Sequence, residues 1–283
     1  MTFSKSFLGS LLLAGVGIAS PISHQSPRGA PPYGLRGSRP ANSTVFLDSH
    51  ASHSNPGVAT ADSVNTLSFN NWAGAILESS GVTSVVGTFT IPQPQLPSGA
   101  DSSTSYCGCA WLGIDGDSDV CPNGGLLQAG TAWCIQGNTP SFYAWYEWWP
   151  AQEMITFDNF DVTAGDEITV TITATSTSTG YALLENVSQG TSVRHTWKTE
   201  SPSLCEATGE WIVEDFSDIS SDGSTSLAPF ANYGQVTFTG NSATVNRQTV
   251  GISQAQPVNM VQNGYTISQS TISNGKVVVT YEG

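Results

Sequence analysis

The sequence predicts an all-β protein folded as a sandwich of two sheets, and three observations lead there. Apolar and polar residues alternate at a period of two, as where Ile168, Val170, Ile172 and Ala174 interleave with Glu167, Thr169, Thr171 and Thr173. Gly, Asn and Pro separate such segments at short intervals, and no segment sustains the 3.6-residue period of a helix. Ten or more short strands joined by turns of this kind bury their apolar faces by stacking one sheet on another.

In chain order the predicted strands are WAGAIL (72–77), VVGTFTI (85–91), CAWLGI (109–114), LLQAGTAW (126–133) and SFYAWYEWW (141–149). DEITVTITATSTS (166–178), SVRHTW (192–197), EWIVEDF (210–216), YGQVTFTG (233–240) and GKVVVTYE (275–282) follow. Two of them carry more than a core needs. Successive strand side chains point to opposite faces, so Glu210, Ile212, Glu214 and Phe216 share one face and Trp211, Val213 and Asp215 the other. In YAWYEWWP, Tyr143, Trp145, Glu147 and Trp149 share one face, and Ala144, Tyr146 and Trp148 the other. If one face enters the core between the sheets, the other lines an aromatic groove, because bare solvent would leave several hundred Å² of ring surface exposed.

The chain has 283 residues. Met1–Ser20 has Lys5, an apolar run from Phe7 to Ile18 and small residues at Gly17 and Ala19, which is the pattern of a secretory signal peptide. That run is too short to span a bilayer, and no later stretch approaches the roughly 20 apolar residues a span needs. Residues 21–68 are rich in Ser, Pro, Gly and Ala and are expected to be a propeptide without a core of its own. Residues 69–283 then form one domain, exported to the extracellular space and acting as a monomer.

That domain holds 20 Asp and Glu against Arg194, Lys198, Arg247 and Lys276, a formal charge of −16. Such a charge excludes nucleic acid as a natural partner. Its self-repulsion falls as carboxylates protonate near pH 4, so acid suits the domain. Export makes disulfides the expectation for Cys107, Cys109, Cys121, Cys134 and Cys205, with an odd one left over. With His195 the domain's only histidine, and with no CxxC or HExxH, no metal site is expected and no cofactor is called for. Asn42-Ser43-Thr44 and Asn186-Val187-Ser188 are glycosylation sequons, the second of which stays on the domain.

Counting removes several chemistries. No GxSxG presents a serine, neither Asp-Thr-Gly nor Asp-Ser-Gly occurs, and no phosphate-cradling glycine loop is present. Carboxylate chemistry in an acidic β-protein remains.

NNWAGAIL (70–77), AWLGIDGD (110–117), LLQAGTAWC (126–134), YAWYEWWP (143–150), EWIVEDF (210–216) and APFANYGQVTF (228–238) together resemble the eqolisin family of fungal glutamic peptidases. The resemblance implies a secreted acid endopeptidase made as a preproprotein and folded as a concanavalin A-like β-sandwich of two curved antiparallel sheets, with the active site on the concave face. It implies a catalytic glutamine at Gln128 and a catalytic glutamate at Glu210, supported by Trp111, Asp115 and Glu147, with Tyr143, Trp145 and Trp149 along the groove. DSDVCPNGGLL, leading up to Gln128, is longer than the family pattern and touches the rim near that glutamine. Implied partners are protein and peptide substrates and the chain's own propeptide as inhibitor, whose Arg28, Arg36 and Arg39 oppose the acidic domain. Two other readings fit an aromatic groove with paired glutamates: a glycoside hydrolase using Glu147 and Glu210, and a sugar-binding module without catalysis.

Overall fold

The computed structural model describes residues 66–219 and 225–283, together with the backbone of two short strands at 35–36 and 44–45. Met1–Ser20 and most of residues 21–65 lie outside the described residues, as does Asn42 of the first sequon. The described strands, in order, are β1 Leu35–Arg36, β2 Thr44–Val45, β3 Leu67–Phe69, β4 Trp72–Glu78, β5 Val82–Thr90, β6 Ser105–Ile114 and β7 Leu126–Gln136. Then come β8 Thr139–Trp149, β9 Ile155–Thr156, β10 Glu167–Ser176, β11 Thr179–Asn186, β12 Thr191–Trp197, β13 Thr208–Glu214 and β14 Ser217–Ile219. The series ends with β15 Thr225–Leu227, β16 Gln235–Val245, β17 Gln248–Val250, β18 Gln256–Gln262, β19 Tyr265–Ser273 and β20 Lys276–Tyr281.

While β1, β14 and β15 form a separate three-stranded sheet and β3 pairs with β18 in parallel, most of the strands make two antiparallel layers. One runs β9-β8-β7-β6-β13-β4-β18 and continues through β19 and β20 to the first half of β16. The other runs β12-β11-β10-β5 and takes up the second half of β16, then β17. Strand β16 joins the layers: Gln235–Phe238 pair with β20, and Thr239 onward pair with β5. The switch falls at Gly240, whose φ of 62° and the register shift between Thr239 and Ser242 let one strand turn from sheet to sheet. The protein is a β-sandwich, as its alternation predicts.

The space between the layers is filled from both sides. Leu112, Ile114, Leu127, Ala129, Trp148, Trp211 and Val213 of the first sheet meet Val85, Phe89, Ile168, Val170, Ile172, Ala182 and Leu184 of the second. A second apolar cluster lies on the far face of the first sheet and contains Trp72, Ile76, Trp111, Leu126, Trp145, Ile212 and Phe216. Strands β6, β7 and β13 are therefore buried on both faces for nearly their whole length. A far face that encloses three tryptophans and three glutamates is a shaped cleft wall, not a solvated sheet surface.

Cys107 and Cys134 are directly opposed on β6 and β7 and form a disulfide; Cys121 pairs with Cys205. Cys109 is the free, buried thiol that the odd count requires. Asn186 of the second sequon is fully buried at the end of β11, where its amide donates to Asp166 Oδ2 at 2.8 Å and its oxygen accepts the Gln189 N–H at 3.1 Å.

Candidate active site

Strand register places the predicted pair in one line. Glu210 on β13 lies opposite Gly113 on β6, Gly113 opposite Gln128 on β7, and Gln128 opposite Glu147 on β8. Residues opposed across a sheet project to the same face, so Glu210, Gln128 and Glu147 all stand on the far face. Two strand spacings separate Glu210 from Gln128, roughly 9–10 Å between backbones. Because the residue between them is glycine, it puts no side chain of its own into the gap.

Gly113 is required there. A methyl group at this position would stand 2.8 Å from Trp111 Cζ3 and 3.1 Å from Leu126 Cδ1. The Trp111 ring thus lies over the glycine, beside the line that joins Glu210 to Gln128. Its indole N–H donates to Glu214 Oε2 at 2.7 Å, and Asn71 Nδ2 donates to Glu214 Oε1 at 3.2 Å. The neighbouring row on the same face runs Ile212, Trp111, Gly130 and Trp145, and the row beyond it runs Trp72, Glu214, Cys109, Ala132 and Tyr143.

The two glutamates of β13 therefore differ. Both are fully buried. Glu214 is engaged by the Trp111 and Asn71 side chains, whereas neither carboxylate oxygen of Glu210 has a hydrogen-bond partner among the described residues. Burial pushes the Glu210 carboxyl well above the usual glutamate range; the nearby Thr208 hydroxyl pulls it down, and the charges of Asp115 and Asp117 push it further up. The Thr208 hydroxyl is close enough to exert that pull, yet it falls short of hydrogen-bond geometry with Glu210 and is itself unpartnered.

Gln128 is oriented by Glu147, which accepts from its Nε2 at 2.6 Å and leaves Gln128 Oε1 without a partner among the described residues. The Trp72 and Trp145 indole N–H groups on this face also lack partners among the described residues. Buried polar atoms are normally satisfied. A group of them converging on one face is what a site presents to a ligand that brings its own donors and acceptors.

Asp115, with φ of 68°, sits just past β6. Its carboxylate accepts four backbone N–H bonds, from Cys205, Glu206, Ala207 and Thr208, at 2.7, 2.9, 2.8 and 3.2 Å. Burial raises its pKa while those four donors lower it, and burial has the larger effect. Asp115 fixes the chain entering β13 and so acts on Glu210 through the backbone. The Cys121–Cys205 disulfide fastens the long segment before Gln128 to this same entry. Tyr143 and Trp149 are half-buried and pack at the margin of the far-face cluster, where the fully buried Trp145 belongs.

All eight residues singled out in the sequence lie on or beside this face. Sequence reasoning missed Gly113, Thr208, Trp72 and the engagement of Glu214. A glycine inside a strand pattern, as in AWLGI, is the one available signal for the first, since it marks a close approach.

Residues 70–281 match the peptidase A4 family. The chain belongs to that family. It is 36% identical to aspergillopepsin-2 of Aspergillus niger over 253 residues, spanning 81% of this chain and 86% of the relative. To scytalidopepsin B of Scytalidium lignicola it is 33% identical over 215 residues, 75% of this chain and 78% of the relative. Among solved structures it is similar to scytalido-glutamic peptidase bound to a transition state analog inhibitor, with a TM-score of 0.66 and 34% identity, covering 75% of this chain and 98% of that one. It is likewise similar to aspergilloglutamic peptidase from Aspergillus niger, with a TM-score of 0.57 and 42% identity, covering 62% of this chain and 99% of that one. The protein is a peptide hydrolase.

Proposed function

We propose that the protein is a secreted acid endopeptidase in which Gln128 and Glu210 together hold and activate one water. The observation that carries the reading is the row Glu210–Gly113–Gln128, with unpartnered oxygens on both flanking side chains. A water held by two hydrogen bonds of about 2.8 Å fits between such groups. Ionised Glu210 takes its proton as it attacks the scissile carbonyl, then returns that proton to the departing amine. Gln128 Oε1 orients the water, and the Nε2 hydrogen not committed to Glu147 meets the developing oxyanion.

An amide partner suits this chemistry. Two close carboxylates split their titrations and hold one proton in common. Gln128 does not titrate, which leaves Glu210 to set the acid limb of activity. Burial disfavours the ionised form of Glu210, so the working form needs water at this face.

Residues 21–68 serve as the inhibitory propeptide in this reading, preceded by a signal peptide at 1–20. Two backbone pairings support it: Leu35–Arg36 add to Ser217–Ile219, just beyond β13, and Thr44–Val45 add to β3. Leu67 and Phe69 of β3 pack against the far-face cluster, and β3 pairs with Val258–Met260.

The test is hydrolysis at about pH 3. The processed domain is expected to cleave denatured protein and to leave polysaccharides intact. Gln128→Ala is expected to remove that cleavage with the fold retained. Polysaccharide hydrolysis that survives Gln128→Ala and fails on Glu147→Gln would establish the glycosidase reading instead.

A further inference from the structure

We propose that Glu214 is a positioning residue for peptide hydrolysis, acting through Trp111 to set the gap between Glu210 and Gln128. The inference rests on the dyad reading above and deepens it.

Three contacts make the chain of action. Glu214 Oε2 accepts the Trp111 indole N–H at 2.7 Å, which fixes the ring's rotation about its own side-chain bonds. Asn71 Nδ2 holds the other carboxylate oxygen at 3.2 Å, so the acceptor itself is steered. The six-membered edge of the ring then lies over Gly113, where the space for even one added carbon is 2.8 Å. Gly113 is the residue between the two members of the pair in register. A ring that swings without its hydrogen bond therefore moves into or out of the space where the water is to be held.

Trp111 is also braced edge-on by Trp72, with ring centroids 4.9 Å apart, and Trp72 lies opposite Glu214 across β4 and β13. The ring is confined by packing on one side and by a single directed bond on the other. All three side chains are fully buried, so water offers the indole N–H no substitute partner. Near-attack geometry is steep, and displacement by about 1 Å can cost about 100-fold in rate. Glu214 thus needs neither contact with substrate nor proton transfer to matter for turnover.

A double-mutant cycle on the processed enzyme tests this, with kcat and KM measured separately on one peptide. Trp111→Phe keeps a ring and removes the N–H; Glu214→Leu removes the acceptor; Glu214→Gln keeps one acceptor oxygen. The expected result is a fall in kcat of roughly 10- to 100-fold for Trp111→Phe and for Glu214→Leu, with KM changed less than about threefold. The double variant is expected to fall no further than the worse single, because both remove one bond. Glu214→Gln is expected to stay within about threefold of the parent.

Effects that multiply in the double variant, or an unchanged kcat in Trp111→Phe, would overturn the assignment. So would complete loss in Glu214→Gln, which would make Glu214 a proton-transfer group in its own right. Should Glu214→Leu fail to accumulate as folded protein, Trp111→Phe compared with Glu214→Gln still decides, through kcat loss in the first and retention in the second. Failure of the dyad reading is separately visible, as activity that persists in Gln128→Ala.

Discussion

Glu210 and Glu214 are four residues apart on one strand face, have the same burial, and differ only in what meets their oxygens. Alternation placed them together; it could not say which one a tryptophan would engage, because Trp111 comes from a strand about 100 residues earlier. Gly113 showed only as a glycine inside a strand pattern, since its value depends on two strands that flank it only in the folded sheet. Gly113→Ala is therefore expected to lower kcat roughly 10- to 100-fold by displacing Trp111, with circular dichroism unchanged; parent-like kcat would separate the glycine from the site. Asn186 gives the opposite lesson. Its sequon is plain in the sequence, yet its side-chain amide is buried and committed to Asp166. Secreted protein is expected to carry no glycan there, so Ser188→Ala should leave its mass on a gel unchanged apart from the substitution itself. A shift that follows loss of the sequon would show Asn186 open to solvent.

The strands read from sequence were those with strong aromatic or β-branched character. β6, β7, β8 and β13 were found, and these are the four that hold the row from Glu210 to Glu147. Those missed include β11, β18 and β19. In β10 and β11 the long polar run hid a turn, with DEITVTITATSTS reading as one element while the chain reverses between Ser176 and Thr179. β18 and β19, QPVNMVQ and YTISQSTIS, have few apolar residues and owe their conformation to partners far along the chain, β4 for the first and β20 for the second. The entry to β13 is held both by Asp115 and by the Cys121–Cys205 bridge. Replacing both cysteines by serine is expected to cost about 2–4 kcal/mol of stability in denaturant titration, and to lower kcat further than KM changes. A variant with full activity and parent stability would show that the bridge does not hold this entry.

At the scale of the molecule, the acid preference inferred from a charge of −16 acquires local causes. Burial raises the carboxyls of Asp115, Asp117, Glu206 and Glu210 above their ordinary values. A raised folded-state pKa favours the folded protein below the unfolded value of about 4, and that stabilisation is lost as pH climbs through the folded pKa. His195, stacked on Tyr146 with ring centroids 3.8 Å apart, acts in the other direction. Burial lowers its pKa, so it disfavours the fold as pH drops below about 6.5. Asp101, lowered by hydrogen bonds from Ser103, acts in that direction too but is fully exposed; four raised carboxyls outweigh these two groups, and repulsion among the remaining acids adds to them. The melting temperature is expected to be higher near pH 4 than at pH 7, with the decline on the alkaline side; a maximum at neutral pH would contradict this account of the charge. Fold class was legible at this scale because alternation and turns report it locally. The aromatic groove of β8 was legible as well, but the full burial of Glu210 and Glu214 on the same face was not, since Trp72 and Trp111 reach it from strands far along the chain.

The most direct measurement is the rate of peptide cleavage at acid pH by processed enzyme carrying Glu210→Gln, a change that keeps shape and removes the titrating oxygen. Cleavage should fall by at least about 1,000-fold while the melting profile stays cooperative. Turnover within tenfold of the parent would place the reacting water elsewhere and contradict the pairing of Glu210 with Gln128.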